Sequence, residues 1–327
     1  MNTTHARVQE LEPGNDEDLL REFRRDFCAG MLGPQKGIPS KWLYDARGSV
    51  LFEEICRQPE YYPTRTEMRI LAERAREIAD LAGPGCALVE LGSGSSRKTH
   101  QLLNTLRQVA AYVPIDIAAS ALHDAAAVLS RRFPGLDVAP TCGDFTRCDW
   151  TFPEAAATAR RRLHFFPGST IGNFTRSEAV LFLRGLARRC VPGDALLVGV
   201  DLVKDVATVE AAYNDRAGVT AAFNLNILDR ANRELGTGFI PTQFRHRAVY
   251  VPEHARIEMH LVSQVPHGVP FGDARIAFRR DEWITTEYSH KYDVEGFREL
   301  ARRGGFTPVA AWVDDQALFS VHWLQVR

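Results

Sequence analysis

The chain has 327 residues, 40 basic against 41 acidic side chains, a formal net charge of −1 and 45% apolar residues. That balance excludes a protein living on phosphate backbones or anionic membranes, and the apolar content excludes global disorder. No apolar run reaches the roughly 18 residues that span a bilayer, and the N-terminus MNTTHARVQELEPGNDEDLL lacks the plan of a signal peptide. The expectation is a cytoplasmic, monomeric protein with no membrane or nucleic-acid partner.

In chain order, TEMRILAERAREIADLA (66–82) carries apolar residues at helical spacing, and ALVELG (87–92) is a short apolar run ending at a glycine, the pattern of a buried strand. A helix over 97–109, a strand at 111–116, a helix over 118–132 and a third strand around 136–142 follow. RLHFFPG (162–168) reads as a fourth strand, 177–190 as an amphipathic helix closed by Pro192-Gly193, and ALLVGVDL (195–202) as a fifth strand. Repeated strand–helix units with apolar strands predict a parallel sheet covered on both faces. After Asp201 the rhythm breaks: 206–235 is mostly helical, and 244–251, 255–265 and 283–292 are strand-like. A final helix over 294–303 and a hairpin turning at Asp314-Asp315 would complete seven strands, one of them antiparallel. The fold class is therefore α/β with a second, α+β domain. Residues 66–202 and 292–327 form the sheet domain, and residues 1–65 and 203–291 the other.

The six cysteines, Cys28 to Cys190, form no C-x-x-C and no zinc spacing with histidine, so reduced thiols and no metal are expected. Only five of the basic residues are lysines: Lys36, Lys41, Lys98, Lys204 and Lys291.

Chemistry first shows at the end of the first strand, in Val89-Glu90-Leu91-Gly92-Ser93-Gly94-Ser95-Ser96. Glycines there let a ligand approach the backbone at the carboxyl edge of a parallel sheet. Asp116, at the end of the next strand, is placed to receive a ribose diol. A dinucleotide fingerprint needs a third small residue where Arg97 stands, which counts against that cofactor. Asp144-Phe145, at the third strand end, supplies an acceptor for an adenine amino group and a ring to cover the base. Glu90, Gly92, Gly94, Asp116 and Asp144 on three successive strand ends thus resemble a class I, Rossmann-like methyltransferase that uses S-adenosyl-L-methionine and releases S-adenosylhomocysteine.

Longer segments are more specific. KWLYDARGSVLFEEICRQPEYYPTRTE (41–67), VELGSGSSRKT (89–99), GSTIGNFT (168–175), DLVKD (201–205), AYNDRAGVTAAFNLN (212–226), IEMHL (257–261) and TTEYSHKY (285–292) resemble the histidine-specific N-alpha methyltransferases of ergothioneine biosynthesis. The resemblance implies trimethylation of the α-amine of L-histidine to hercynine, in a methyltransferase domain joined to a substrate-binding domain. It implies that Tyr61, Gly168 and Asn173 hold the amine, with Tyr61 and Asn173 closest to the catalysis. Asn173 and Tyr213 would bind the carboxylate, and Tyr44, Glu287 and Ser289 would read the imidazole beside Met259. On the donor side it implies Gly92, Lys98, Asp116, Asp144 and Phe145, to which the loop geometry adds Glu90, Ser93 and Gly94. The alternatives are a paralogue acting on another amino acid, such as tryptophan, and a non-catalytic binder of the donor.

Overall fold

The computed structural model describes residues 16–94, 97–117, 119–148 and 150–326. Ser95 and Ser96 of the glycine loop, Ala118 and the polar stretch 1–15 lie outside the described residues. In chain order the strands are β1 (Cys86–Leu91), β2 (Ala111–Asp116), β3 (Asp137–Val138), β4 (Thr141–Cys142), β5 (Arg161–Phe166), β6 (Ala195–Asp201) and β7 (Phe244–Val251). They continue with β8 (Arg256–Ser263), β9 (His267–Phe271), β10 (Ala274–Phe278), β11 (Trp283–His290), β12 (Thr307–Val313) and β13 (Phe319–Gln325). The described residues form two compact units: 63–203 with the chain from 291 onward, and 16–62 with 204–290.

The first unit is built on one sheet of order β12-β13-β6-β5-β1-β2-β3, with β4 also on β2. β1 to β6 pair in parallel, and β13 runs antiparallel to both its neighbours, as the expected single reversed strand. The expected third strand comes as two short pieces, β3 and β4. Ala139 still donates to Tyr112 O at 2.9 Å, but Pro140 has no N–H to continue the ladder. Val89, Leu91, Val113 and Ile115 pack on one face with Phe182, Leu183 and Phe297. Leu88, Tyr112, Leu163 and Phe165 pack on the other with Ile78, Leu102 and Leu129. Each such side chain gains about 1.5–3 kcal/mol on leaving water, which is why both faces of these strands are apolar. The single helix expected over 66–82 is two, Tyr62–Glu73 and Ala75–Ala82, interrupted at Arg74 (φ −102°, ψ 11°). Pro63 lies in the opening turn of the first, where its missing N–H costs nothing.

The second unit holds an antiparallel sheet β11-β8-β7, a β9–β10 hairpin and helices Asp16–Met31, Ala46–Ile55, Val206–Tyr213 and Val219–Leu235. The hairpin turns on Gly272 (φ +56°) and Asp273, a Gly-Asp turn signal that the sequence reading passed over. The expected helical run 206–235 breaks after Tyr213. The Asp215 carboxylate then accepts from Val219 N at 2.8 Å and Thr220 N at 2.7 Å, starting a new helix. β11 carries a bulge: Thr285 pairs His260 and Glu287 pairs Met259, so Thr286 is the extra residue. Among the described residues no helix is long and apolar enough to cross a membrane.

Candidate active site

In the first unit the residues expected at the donor converge on the carboxyl ends of β1, β2 and β4. Gly92 (φ +78°) follows β1 in a conformation that L side chains rarely adopt, and its N–H donates to Ile115 O at 2.8 Å. A Cβ there would lie 3.4 Å from the Phe145 ring, while one on Gly94 (φ +34°) would meet nothing within 4 Å. Phe145 thus closes over Gly92 while the backbone at Gly94 is open to approach, which suits a ligand laid along the strand end. Ser93 is buried beneath it. Asp116 ends β2, and its carbonyl accepts from Gly143 N at 2.9 Å. Asp144 caps the turn Phe145–Arg147 through Oδ1, accepting from Thr146 N at 2.9 Å. Phe145 packs edge-on against Phe166 at 5.4 Å and Phe182 at 6.1 Å, which fixes its ring.

Glu90 is a buried residue whose carboxylate accepts from Thr99 Oγ1 at 2.6 Å and from the Tyr112 hydroxyl. Burial pushes its pKa up to about 7 against the opposing pull of those two hydroxyls. Its side chain braces the loop against the helix Arg97–Thr105 and strand β2. Thr99 lies within the quoted VELGSGSSRKT segment, yet neither it nor Tyr112 was singled out from sequence.

Lys98, on the same helix, pairs with Glu67 Oε2 at 2.5 Å, and Glu67 is completely buried. Gly168 (φ +79°) donates its N–H to the same carboxylate, at 2.9 Å to Oε2 and 3.2 Å to Oε1. Ser169, also left-handed (φ +59°), accepts from Asp201 N at 2.9 Å, and the turn Thr170–Asn173 carries Asn173 at its end. Glu67 closes the PEYYPTRTE segment but was assigned no role from sequence. The signal that points to it is Gly199 in the middle of β6, where a methyl group would collide with Glu67 Oε1. The other four lysines are also engaged: Lys36 with Glu282, Lys41 with Glu22 at 2.6 Å, Lys204 with the Tyr62 hydroxyl at 2.7 Å and Lys291 with Asp201 at 2.7 Å.

In the second unit Tyr44, Tyr61, Tyr213, Met259 and Glu287 line one cavity together with Phe52 and Phe223. The last two rings were not singled out from sequence. Tyr44 meets both of them edge-on at 5.4 Å, and Tyr61 stands 6.3 Å from Tyr213. Tyr44 is held by what surrounds it: Arg230 donates to Trp42 O at 2.9 Å, and Asp45 caps the next helix while accepting from Asn226 at 2.7 Å. Burial drives the Tyr61 hydroxyl well above its ordinary pKa, with Tyr213 and Glu287 adding to the effect, so it stays a neutral phenol. Met259 and Glu287 are direct cross-strand partners, and Ser289 lies two residues on, on the same face. Ser289 reaches the Tyr213 hydroxyl at 2.8 Å.

A layer of hydrogen bonds stands behind the cavity. Thr286 Oγ1 donates to Asn224 Oδ1 at 2.6 Å, leaving Asn224 Nδ2 to donate to His246 Nδ1 at 2.9 Å and His260 O at 3.2 Å. His246 then carries its proton on Nε2 and donates it to Tyr213 O at 2.8 Å. Burial lowers the His246 pKa, which keeps that neutral tautomer.

Among the described residues one trio has the reach of a metal site: His164, Cys190 and Asp194, in the first unit. Sequence spacing does not reveal it, because β5, the end of a helix and the start of β6 supply one residue each. Both Asp194 oxygens already accept: Oδ1 from Arg162 N at 2.9 Å, Oδ2 from Val191 N at 2.9 Å and the Arg162 guanidinium at 2.6 Å. A guanidinium in that position opposes a cation, and the trio is a structural anchor.

The profile of the family described as histidine-specific, SAM-dependent methyltransferases matches residues 23–326. The chain is 41% identical over 310 residues to the histidine N-alpha-methyltransferase of Mycolicibacterium smegmatis, covering 93% of this chain and 95% of that one. It is 33% identical to ergothioneine biosynthesis protein 1 of Neurospora crassa, over 86% of this chain but 32% of that longer protein. A solved structure from Thermobifida fusca, assigned as a methyltransferase, shares the fold at a TM-score of 0.50 and 12% identity, over 91% of this chain and 98% of that one. A family match over nearly the whole length, with 41% identity across both chains to a histidine N-alpha-methyltransferase, places this chain in the histidine-specific, S-adenosylmethionine-dependent methyltransferase family.

Proposed function

We propose that the protein transfers methyl groups from S-adenosylmethionine to the α-amine of L-histidine, three times in succession, giving hercynine for ergothioneine biosynthesis. The observation that carries the reading is 41% identity to a histidine N-alpha-methyltransferase across both chains. The first unit binds the donor, and the second supplies most of the residues assigned to the amino acid. Gly92, Ser93, Gly94, Asp116, Asp144 and Phe145 hold the nucleoside part, and Lys98 takes the donor's carboxylate. When bound, the donor supplies an electrophilic methyl on a sulfonium.

The acceptor must present an unprotonated amine in line with that methyl, so positioning and exclusion of water carry the rate and no strong base is required. Tyr61 remains a phenol at neutral pH and contributes a hydrogen bond whose direction can reverse as the amine gains methyl groups. Gly168 and Asn173 complete the amine's surroundings, Asn173 and Tyr213 take the carboxylate, and Tyr44, Glu287 and Ser289 read the imidazole over Met259. A reducing, cytoplasmic setting would suit the six free thiols. Purified protein incubated with histidine and donor, followed by mass spectrometry, tests the reading. Mono-, di- and trimethylated histidine are expected in sequence; methylation of tryptophan but not histidine would overturn it.

A further inference from the structure

Glu67 has no role in the proposed reaction, yet it is among the most constrained residues of the first unit. Its carboxylate is completely buried. It meets the Lys98 ammonium at 2.5 Å and the Gly168 N–H at 2.9 Å, and β6 leaves it room only because position 199 is glycine. Losing either partner would leave a buried anion poorly compensated, so the arrangement holds as a set. Lys98 lies in the first turn of the helix after the glycine loop, while Gly168 leads into the turn that carries Asn173. One carboxylate thus ties the lysine proposed for the donor to the turn proposed for the acceptor amine.

We infer that Glu67 is a positioning residue of the donor site, aiming the Lys98 ammonium by charge while holding the Gly168 turn by a hydrogen bond. The inference rests on the proposed function for the roles of Lys98 and Gly168. Its two halves separate chemically. An amide at position 67 can still accept from Gly168 N, but it cannot hold an ammonium as an ion pair.

The test uses the full chain, with calorimetric titration of S-adenosylhomocysteine and steady-state kinetics. Glu67→Gln should weaken S-adenosylhomocysteine binding by about tenfold or more while the KM for histidine moves less than about twofold. Lys98→Met should weaken it similarly, and the double variant no further than Lys98→Met alone, because Glu67 acts through Lys98. Unchanged affinity in Glu67→Gln, or losses that multiply in the double variant, would overturn the inference. So would equal rises in both KM values with a lower melting temperature, the signature of a merely structural carboxylate. Should Glu67→Gln fail to fold, Gly199→Ala keeps the carboxylate but crowds it. Its affinity should fall toward that of Lys98→Met, and wild-type affinity in folded Gly199→Ala would equally overturn the assignment. Product binding is read without an acceptor, so wild-type inactivity on histidine would sink the function and leave the binding comparisons of this test intact.

Discussion

The hydroxyls of Tyr213 and Ser289 lie 2.8 Å apart, although the proposed reading sends one to the carboxylate of histidine and the other to its imidazole. A hydroxyl donates once and accepts twice, so each can hold the other and still serve a ligand. The two ends of the substrate are thereby read by coupled groups. Ser289→Ala should raise the KM for histidine about tenfold, the worth of one net hydrogen bond at about 1–1.5 kcal/mol, with S-adenosylhomocysteine affinity unchanged. An unaltered KM would separate Ser289 from recognition.

Glu287 and Met259, facing each other across β11 and β8, put a carboxylate beside a thioether in a cavity whose other walls are mostly aromatic, Tyr44, Phe52, Tyr61, Tyr213 and Phe223 among them. A site built to hydrogen-bond a ring rejects analogues without the polar atoms, because its own buried groups go unpaired. Glu287→Ala should therefore narrow the ratio of kcat/KM for histidine over tryptophan. If the ratio holds, Glu287 does not read the imidazole.

Asp116→Ala removes the carboxylate proposed to take the ribose hydroxyls at the end of β2. Charge-assisted hydrogen bonds of this kind contribute about 1.5–3 kcal/mol, so donor affinity should drop by about ten- to a hundredfold. Calorimetry with S-adenosylhomocysteine measures it, and an unchanged dissociation constant would reassign Asp116 to the loop alone.

Glu90 gives the fold a pH dependence. Its folded pKa of about 7 lies above the ordinary 4.5, so the folded state takes up the proton more readily than the unfolded one. The resulting stability is fully present below 4.5 and is lost as pH rises through about 7. Glu90→Gln carries no titrating proton, so its melting temperature should fall less than that of the wild type between about pH 5 and about pH 8. Parallel pH profiles of the two proteins would show that Glu90 is not the group responsible.

The sheet strands were legible because burial on both faces makes them apolar runs, and the residues proposed for the donor stand out because ligands meet parallel sheets at strand ends. Strand alternation correctly grouped Glu287 with Ser289. Extended two residues further back it would have failed, since the bulge at Thr286 puts Thr285 opposite His260 and Glu287 opposite Met259. Nothing in TTEYSHKY marks that extra residue. Glu67 escaped for another reason. Its partners Lys98, Gly168 and Gly199 are distant in sequence, and no periodicity encodes a contact that only the sheet brings together. Phe52 and Phe223 read as ordinary packing aromatics, which is what they are until the cavity between them is seen.

The place of β13 in the sheet delays completion of the sheet until the end of synthesis. It pairs with β6 along Ala195–Asp201, yet it is made more than a hundred residues later, after the whole of 204–290. Until Phe319–Gln325 leaves the ribosome, β6 presents one side of a wholly buried, apolar strand with its backbone groups unanswered. An edge of that kind is a template for wrong pairing. A nascent chain stalled between residues 202 and 319 is thus the species most exposed to aggregation, and the one a chaperone would have most reason to hold.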